Sequence, residues 1–495
     1  MVRHIHPDSS LRMIDPHACP TTTLLLFGAT GDLAQRYLFP SLLRLHADGL
    51  LPAGLRIRGL ALSAHDDAGF AQLLRQRLLE AAPDAQAAAA IEGLLARVQY
   101  RSVDLSDSAA VTAAVADVGG GTCLSYLSIP PALYPSTAQG LAQAGALAAP
   151  SRLMLEKPIG SDGASADALL EQIAGLIEED RTYRVDHYLG KAAVQNLMAL
   201  RFGNTLLEAV WNRNHIESVH ILVAESGGVD GRSAYYAQAG ALRDMVQSHI
   251  LQLLALVAME PPVSLQADRI RDEKVKVLRS LRPLDPKTAA PLTLRARYGA
   301  GRIDGQDVPG YVPPAGTDPE TFAAVTAHID NWRWAGVPFH LVTGKRLPCR
   351  STQVVITLKP VSHWLFDKPS RGQAQPNRIT LQLQPNENIQ LGLLSSLAGP
   401  EWGALELQPL ALELSVPAGQ QRRIAYERLF LDALSGNSAL FVRADEVRAA
   451  WAWTDSVLAA WQQAGLAMGS YPAGQWGPQR AAQFLPANLL EPSLP

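Results

Sequence analysis

The stretch Leu24-Leu-Leu-Phe-Gly-Ala-Thr-Gly-Asp-Leu33 decides how this chain is read, because a short apolar run breaks at Gly28 and Gly31 and passes into the amphipathic segment Asp32 to Leu45. The pattern spells a strand, a glycine turn and a helix start. Such a junction aims backbone N–H groups and the positive helix end at one point, and glycine lets an anion approach the main chain. Gly28, Ala29, Thr30, Gly31, Asp32 and Leu33 are therefore the candidate phosphate cradle. A Gly-x-x-Gly spacing equally fits a turn that needs glycine only for its positive φ, so the rest of the chain has to choose.

Outward from that turn, strand-like runs near 23–27, 56–62, 98–103, 122–127, 152–156 and 182–185 alternate with amphipathic segments, and the Ala-rich stretch around 85–90 reads as helix. Alternation of this kind predicts a Rossmann-like parallel sheet covered on both faces. Ligands on such sheets sit at the carboxyl ends of the strands, where Gly28, Asp104, Ser128 and Lys157 fall. Beyond Val185 the rhythm changes to helical segments at 189–201 and 236–258, then strand-like runs near 292–298, 353–359, 378–384 and 408–414. The fold class is α/β followed by α+β, with a mainly antiparallel sheet in the second part. The predicted division is a loose tail over 1–21, a dinucleotide-binding domain over 22–185, and a substrate-binding and oligomerisation domain over 186–495.

A chain of 495 residues exceeds what one core usually supports, and 47% apolar with 18% charged residues argues for folded domains. A formal net charge of -3 without a long basic run speaks against nucleic acid as a partner. Apolar runs such as Ile250 to Met259 are too short to span a bilayer, so no membrane is expected. Cys19, Cys123 and Cys349 form no spaced pair, which fits a reducing cytoplasm. The tail carries His4, His6 and His17 beside Pro and Asp, a setting that suits a solvated extension better than a metal site, and none is expected.

Arg184-Val-Asp-His-Tyr-Leu-Gly-Lys191 follows a short strand and enters a helical pattern, so His187 and Lys191 would share a face if the helix starts there. With the Tyr188 hydroxyl they would converge near a helix N-terminus, a place that favours a phosphate dianion; a capped basic surface helix is the plainer alternative. Lysine is scarce, eight among 43 basic residues, so Lys157 in Leu155-Glu-Lys-Pro-Ile-Gly160 and Lys345 in Thr343-Gly-Lys-Arg-Leu347 suggest that a compact ammonium is needed there. Leu242-Arg-Asp-Met-Val-Gln-Ser-His249 runs into an apolar helix. His249 is either a satisfied core histidine or a base for alcohol oxidation, with Asp186 a candidate to orient it.

Together these segments resemble the glucose-6-phosphate dehydrogenase family. The likeness runs from about Thr22 to Pro486, through GATGDLA, YLSIPP, LEKPIG, RVDHYLGK, WNRN, GALRDMVQSH, WRWAGVPF, TGKRL, QPNE, AYERL and YPAGQWGP in the family's order. It implies oxidation of D-glucose 6-phosphate at C1 to 6-phospho-D-glucono-1,5-lactone with hydride transfer to NAD or NADP, the first step of the pentose phosphate pathway, by a homodimer or homotetramer. By the resemblance His249 is the base and Asp186 its orienting carboxylate. His187, Tyr188 and Lys191 hold the sugar phosphate, Glu225, Asp244, Lys345 and Arg350 hold the sugar, Lys157 touches substrate and coenzyme, and Gln384 lies near the substrate region.

Departures from the family pattern cluster on the coenzyme side. Gly59-Leu-Ala-Leu62 lacks the arginine that grips the 2′-phosphate of NADP, and Asp66 and Asp67 are the acidic groups nearest to that strand end, so NAD and NADP both stay open. Tyr37 stands for a lysine, Val342 for an arginine, Ala237 for an aspartate and Ser248 for an asparagine. The rival expectations are a dehydrogenase of another hexose phosphate and a non-catalytic dinucleotide-binding sensor.

Overall fold

The computed structural model describes residues 21–81, 85–118, 121–363, 376–398, 405–415, 423–486 and 489. The expected tail is thereby outside the described residues up to position 20, and Thr21 already begins the first strand. The chain divides into two compact units. One holds the described residues up to Ile159, with Asp167–Gly190 and Arg423–Ala444; the other holds Gly160–Ala166, Lys191–Arg422 and the chain from Asp445 onward. The sequence-based boundary after Val185 and this division differ mainly at Arg423–Ala444, which returns to the first unit by pairing Phe441–Val442 with Thr182–Val185.

In the first unit a seven-stranded sheet runs in the order Phe441–Val442, Thr182–Val185, Arg152–Leu155, Thr122–Leu127, Thr21–Phe27, Arg56–Ala61, Val98–Ser102. All neighbours are parallel except the edge pair made by Phe441–Val442. Leu24, Leu25, Leu26 and Phe27 are each fully buried, as a central strand covered on both faces requires. The strand order reverses direction around Thr21–Phe27, which puts Gly28 at the kind of switch point where ligands bind in open parallel sheets.

The second unit is built on a nine-stranded, mainly antiparallel sheet among the described residues, ordered Leu405–Ser415, Asn388–Ala398, Arg378–Gln384, Ser351–Leu358, Ile216–Ala224, Pro338–Gly344, Phe322–His328, Thr293–Gly299, Gly469–Pro472. Its central strands Ile216–Ala224, Phe322–His328 and Pro338–Gly344 escape the sequence reading. Phe322–Thr326 is buried at every position, which removes the alternation that marks a one-sided strand. Helix Ala267–Arg279 escapes it too.

Two helical segments differ from expectation in their winding. The helix after the glycine turn opens as a π-helix over Ala34–Leu38 before becoming α over Phe39–Ala47. The apolar pattern at 236–258 is three pieces: Ser233–Ala241 interrupted at Gly240 (φ 64°, ψ 178°), a π-helix over Leu242–Ile250, and α-helix Leu251–Ala258. π-winding of this kind recurs at functional sites.

Candidate active site

In the first unit the glycine turn is tight. Gly28 has φ 77°, and a Cβ there would stand 2.3 Å from the Ser128 carbonyl oxygen, so only glycine lets strand and turn meet. The Gly28 and Ala29 N–H groups both donate to Leu60 O, at 2.7 and 3.3 Å, and Gly31 N–H donates to Gly28 O at 2.9 Å. These three donors hold the turn together. Asp32 pairs with Arg36 at 2.7 Å on the exposed surface.

Lys157 follows strand Arg152–Leu155, and its peptide bond to Pro158 is cis. Beside it Glu156 is buried and accepts the Tyr126 hydroxyl at 2.5 Å, while the Tyr134 hydroxyl donates to the Glu156 carbonyl at 2.6 Å. Burial pushes the Glu156 carboxyl up to about 7, against the opposing pull of Tyr126 and Lys157.

The segment Asp186–Gly190 is a turn and not the first turn of a helix. Asp186 Oδ1 accepts the Tyr188 N–H at 2.9 Å, which diverts the backbone from helix, and the helix begins only at Ala192 with Lys191 at its N-cap. His187 and Lys191 therefore do not share a helix face. Asp186 is 2% exposed and Tyr188 buried, and the His187 ring stacks on Tyr426 with centroids 6.1 Å apart.

In the second unit His249 lies on the π-helix at 1% exposure, and Asp244, also buried, accepts the Tyr235 hydroxyl at 3.1 Å. The start of this segment is capped from another element: Glu320 Oε1 accepts Leu242 N–H at 2.8 Å, and its carbonyl accepts Ala241 N–H at 2.9 Å. Burial raises the Glu320 carboxyl above its ordinary range, with the Leu242 N–H opposing. Glu225 and Lys345 follow adjacent parallel strands in register at Ala224 and Gly344, so their side chains meet as an ion pair at 2.7 Å. The Lys345 ammonium also lies 5.2 Å from the Tyr236 ring centroid. Arg350 is exposed, and Gln384 accepts the Thr352 hydroxyl at 3.2 Å.

Residues 25–196 match the family profile "Glucose-6-phosphate dehydrogenase, NAD binding domain", and residues 198–489 match "Glucose-6-phosphate dehydrogenase, C-terminal domain". The chain belongs to the glucose-6-phosphate dehydrogenase family. It is 45% identical to glucose-6-phosphate 1-dehydrogenase of Zymomonas mobilis over 470 residues, covering 93% of this chain and 96% of that one. The enzyme of the same name from Mycolicibacterium smegmatis is 43% identical, at 93% and 95% coverage. A solved glucose-6-phosphate dehydrogenase in complex with its substrate glucose-6-phosphate superposes with TM-score 0.84 at 32% identity, covering 94% of this chain and 97% of that one.

On the coenzyme side of this family member, Leu62 is 73% exposed just past strand Arg56–Ala61. Neither acid nearby is uncommitted: Asp66 Oδ1 accepts Gly69 N–H at 2.7 Å, and Asp67 Oδ1 accepts Tyr100 N–H at 2.6 Å. Asp104 is exposed and accepts both the N–H and the hydroxyl of Ser106, at 2.9 and 2.7 Å, which hold its carboxyl below the usual range. Thr30 and Ser63 join the two strand ends through their hydroxyls at 3.1 Å. Sequence reasoning missed Tyr235, Tyr236, Glu156 and Glu320. Tyr235 and Tyr236 carry a signal, a polar-tipped aromatic pair one turn before Gly240, whereas nothing local ties Glu320 to a helix 78 residues earlier.

Proposed function

We propose that this protein oxidises D-glucose 6-phosphate at C1 to 6-phospho-D-glucono-1,5-lactone. The observation that carries the reading is a buried imidazole, His249, on a π-wound segment of a chain aligned over nearly its whole length with enzymes named for that activity. The glycine turn fits a dinucleotide, since it ends the central parallel strand where the strand order reverses and leads directly into a helix. Thr30, Asp32 and Leu33 would hold its pyrophosphate, and a bound nicotinamide supplies the acceptor for the hydrogen that leaves C1 with its electron pair. His249 takes the C1 hydroxyl proton, and Asp186 orients that imidazole and stabilises its charged form. His187, Tyr188 and Lys191 bind the 6-phosphate, with Lys191 at a helix N-terminus. Glu225, Asp244, Lys345 and Arg350 hold the sugar hydroxyls, the first and third already pre-set as a pair. Lys157 borders both ligands.

Both coenzymes are accepted, with weakened preference for NADP. Leu62 offers no guanidinium fork for a 2′-phosphate, and the carboxylates nearest to it, Asp66 and Asp67, each already accept a backbone N–H through one oxygen. A bias of a hundredfold to NADP in kcat/KM, about 2.7 kcal/mol, contradicts this. The protein works in the cytoplasm as a homodimer or homotetramer; among the described residues no helix is long and apolar enough to cross a membrane. The activity is tested with glucose 6-phosphate, galactose 6-phosphate, glucosamine 6-phosphate and glucose as substrates. Glucose 6-phosphate is expected to have the highest kcat/KM, and fastest turnover of free glucose overturns the phosphate-binding roles.

A further inference from the structure

The first unit contains a buried acid that the proposed chemistry does not use. Glu156 immediately precedes Lys157, is 8% exposed, and sits among three tyrosines. Tyr126 donates to its carboxylate at 2.5 Å and Tyr134 donates to its carbonyl at 2.6 Å, while burial and the nearby Glu156 charge both raise the Tyr426 phenol. The Lys157 backbone N–H and ammonium both favour the ionised carboxylate, while the Asp186 carboxylate opposes it. Glu156 N–H is fixed to Leu127 O at 3.4 Å. The charged and titratable groups around this acid are thus Lys157, Asp186 and the three phenols, and Tyr426 in turn stacks on His187.

We infer that Glu156 is a positioning residue whose ionised carboxylate fixes Lys157, so that it must be deprotonated for full activity. The inference rests on the role given above to Lys157. The physical link is short: Tyr126 holds the carboxylate at 2.5 Å and Tyr134 holds the Glu156 carbonyl at 2.6 Å, and that carbonyl belongs to the peptide unit leading into Lys157, so losing the charge loosens the residue assigned to both ligands. Burial holds this carboxyl at about 7, which brings its titration into the working range, beside that of an imidazole base. Two groups must then lose protons on the acid side, the imidazole and this carboxyl, and the acid limb of log kcat/KM against pH approaches a slope of about two.

Full pH profiles of wild type, Glu156→Gln and Tyr126→Phe test it. Glu156→Gln is expected to lower kcat/KM about 10- to 100-fold through misplacement of Lys157, and to reduce the acid-limb slope to about one. Tyr126→Phe removes a hydrogen bond to the ionised form, so its upper inflection moves to higher pH with both slopes retained. Glu156→Asp recovers part of the lost slope. A purely structural role would lower the rate evenly and leave slopes and inflections in place, and that result overturns the inference. Should Glu156→Gln fail to fold, an unshifted profile in Tyr126→Phe overturns it equally. The wider functional reading fails separately, through a His249→Asn variant that keeps full activity.

Discussion

The segments after Gly28 and after Gly240 share one device, a glycine at positive φ (77° and 64°) leading into a π-wound stretch, Ala34–Leu38 in one and Leu242–Ile250 in the other. They differ in what fills the space beside the glycine. At Gly28 an added Cβ meets a backbone oxygen, Ser128 O at 2.3 Å, and at Gly240 it meets a side chain, Glu320 Oε1 at 2.5 Å. The first turn is open, with Gly31 and Asp32 exposed, whereas the second carries buried Asp244 and His249. One is an exposed turn at a strand end, and the other holds buried titratable side chains in place.

The largest expected effect separates the two at once. His249→Asn is expected to lower kcat by roughly 10²–10⁴ with the coenzyme KM little changed, in steady-state assays at fixed sugar phosphate. Next come the glycines. Gly28→Ala and Gly240→Ala each place a side chain in the left-handed region, a strain of about 1–3 kcal/mol read as a lower Tm. Gly28→Ala is expected to raise the coenzyme KM, and Gly240→Ala to lower kcat, because Glu320 must move from the helix start. If both variants change the same kinetic constant, the contrast between the segments is lost. The smallest effect is on coenzyme choice: Leu62→Arg is expected to shift the NADP to NAD ratio of kcat/KM by about tenfold or more towards NADP, the worth of one charge-assisted hydrogen bond.

The first segment was legible because its glycines stand in a short motif between a solid apolar run and an amphipathic one, and strand ends such as Lys157 followed from the same alternation. The second was legible only as an apolar helix. Its start after Gly240 is capped by Glu320, which comes from just before strand Phe322–His328, and no local pattern announces such a cap. The same reason hid the Glu225–Lys345 pair, since its geometry comes from parallel neighbours 120 residues apart in sequence. His187 and Lys191 were set on one helix by their spacing, and the side chain of Asp186 competed with that helix by taking the Tyr188 N–H. In the second sheet strand Phe322–His328, buried from Phe322 to Ala327, gave no period to read, while Arg378–Gln384 keeps part of its length only half-buried.

The central claim is that the C1 hydrogen of glucose 6-phosphate leaves as its hydroxyl proton passes to His249. The most direct measurement follows deuterium from C1-labelled glucose 6-phosphate into the reduced coenzyme, for wild type and for His249→Asn. The account predicts that wild type transfers the label to the coenzyme and that the variant transfers it at a rate lower by roughly 10²–10⁴. Label that stays on the sugar in wild type, or a variant that transfers it as fast as wild type, would contradict the account.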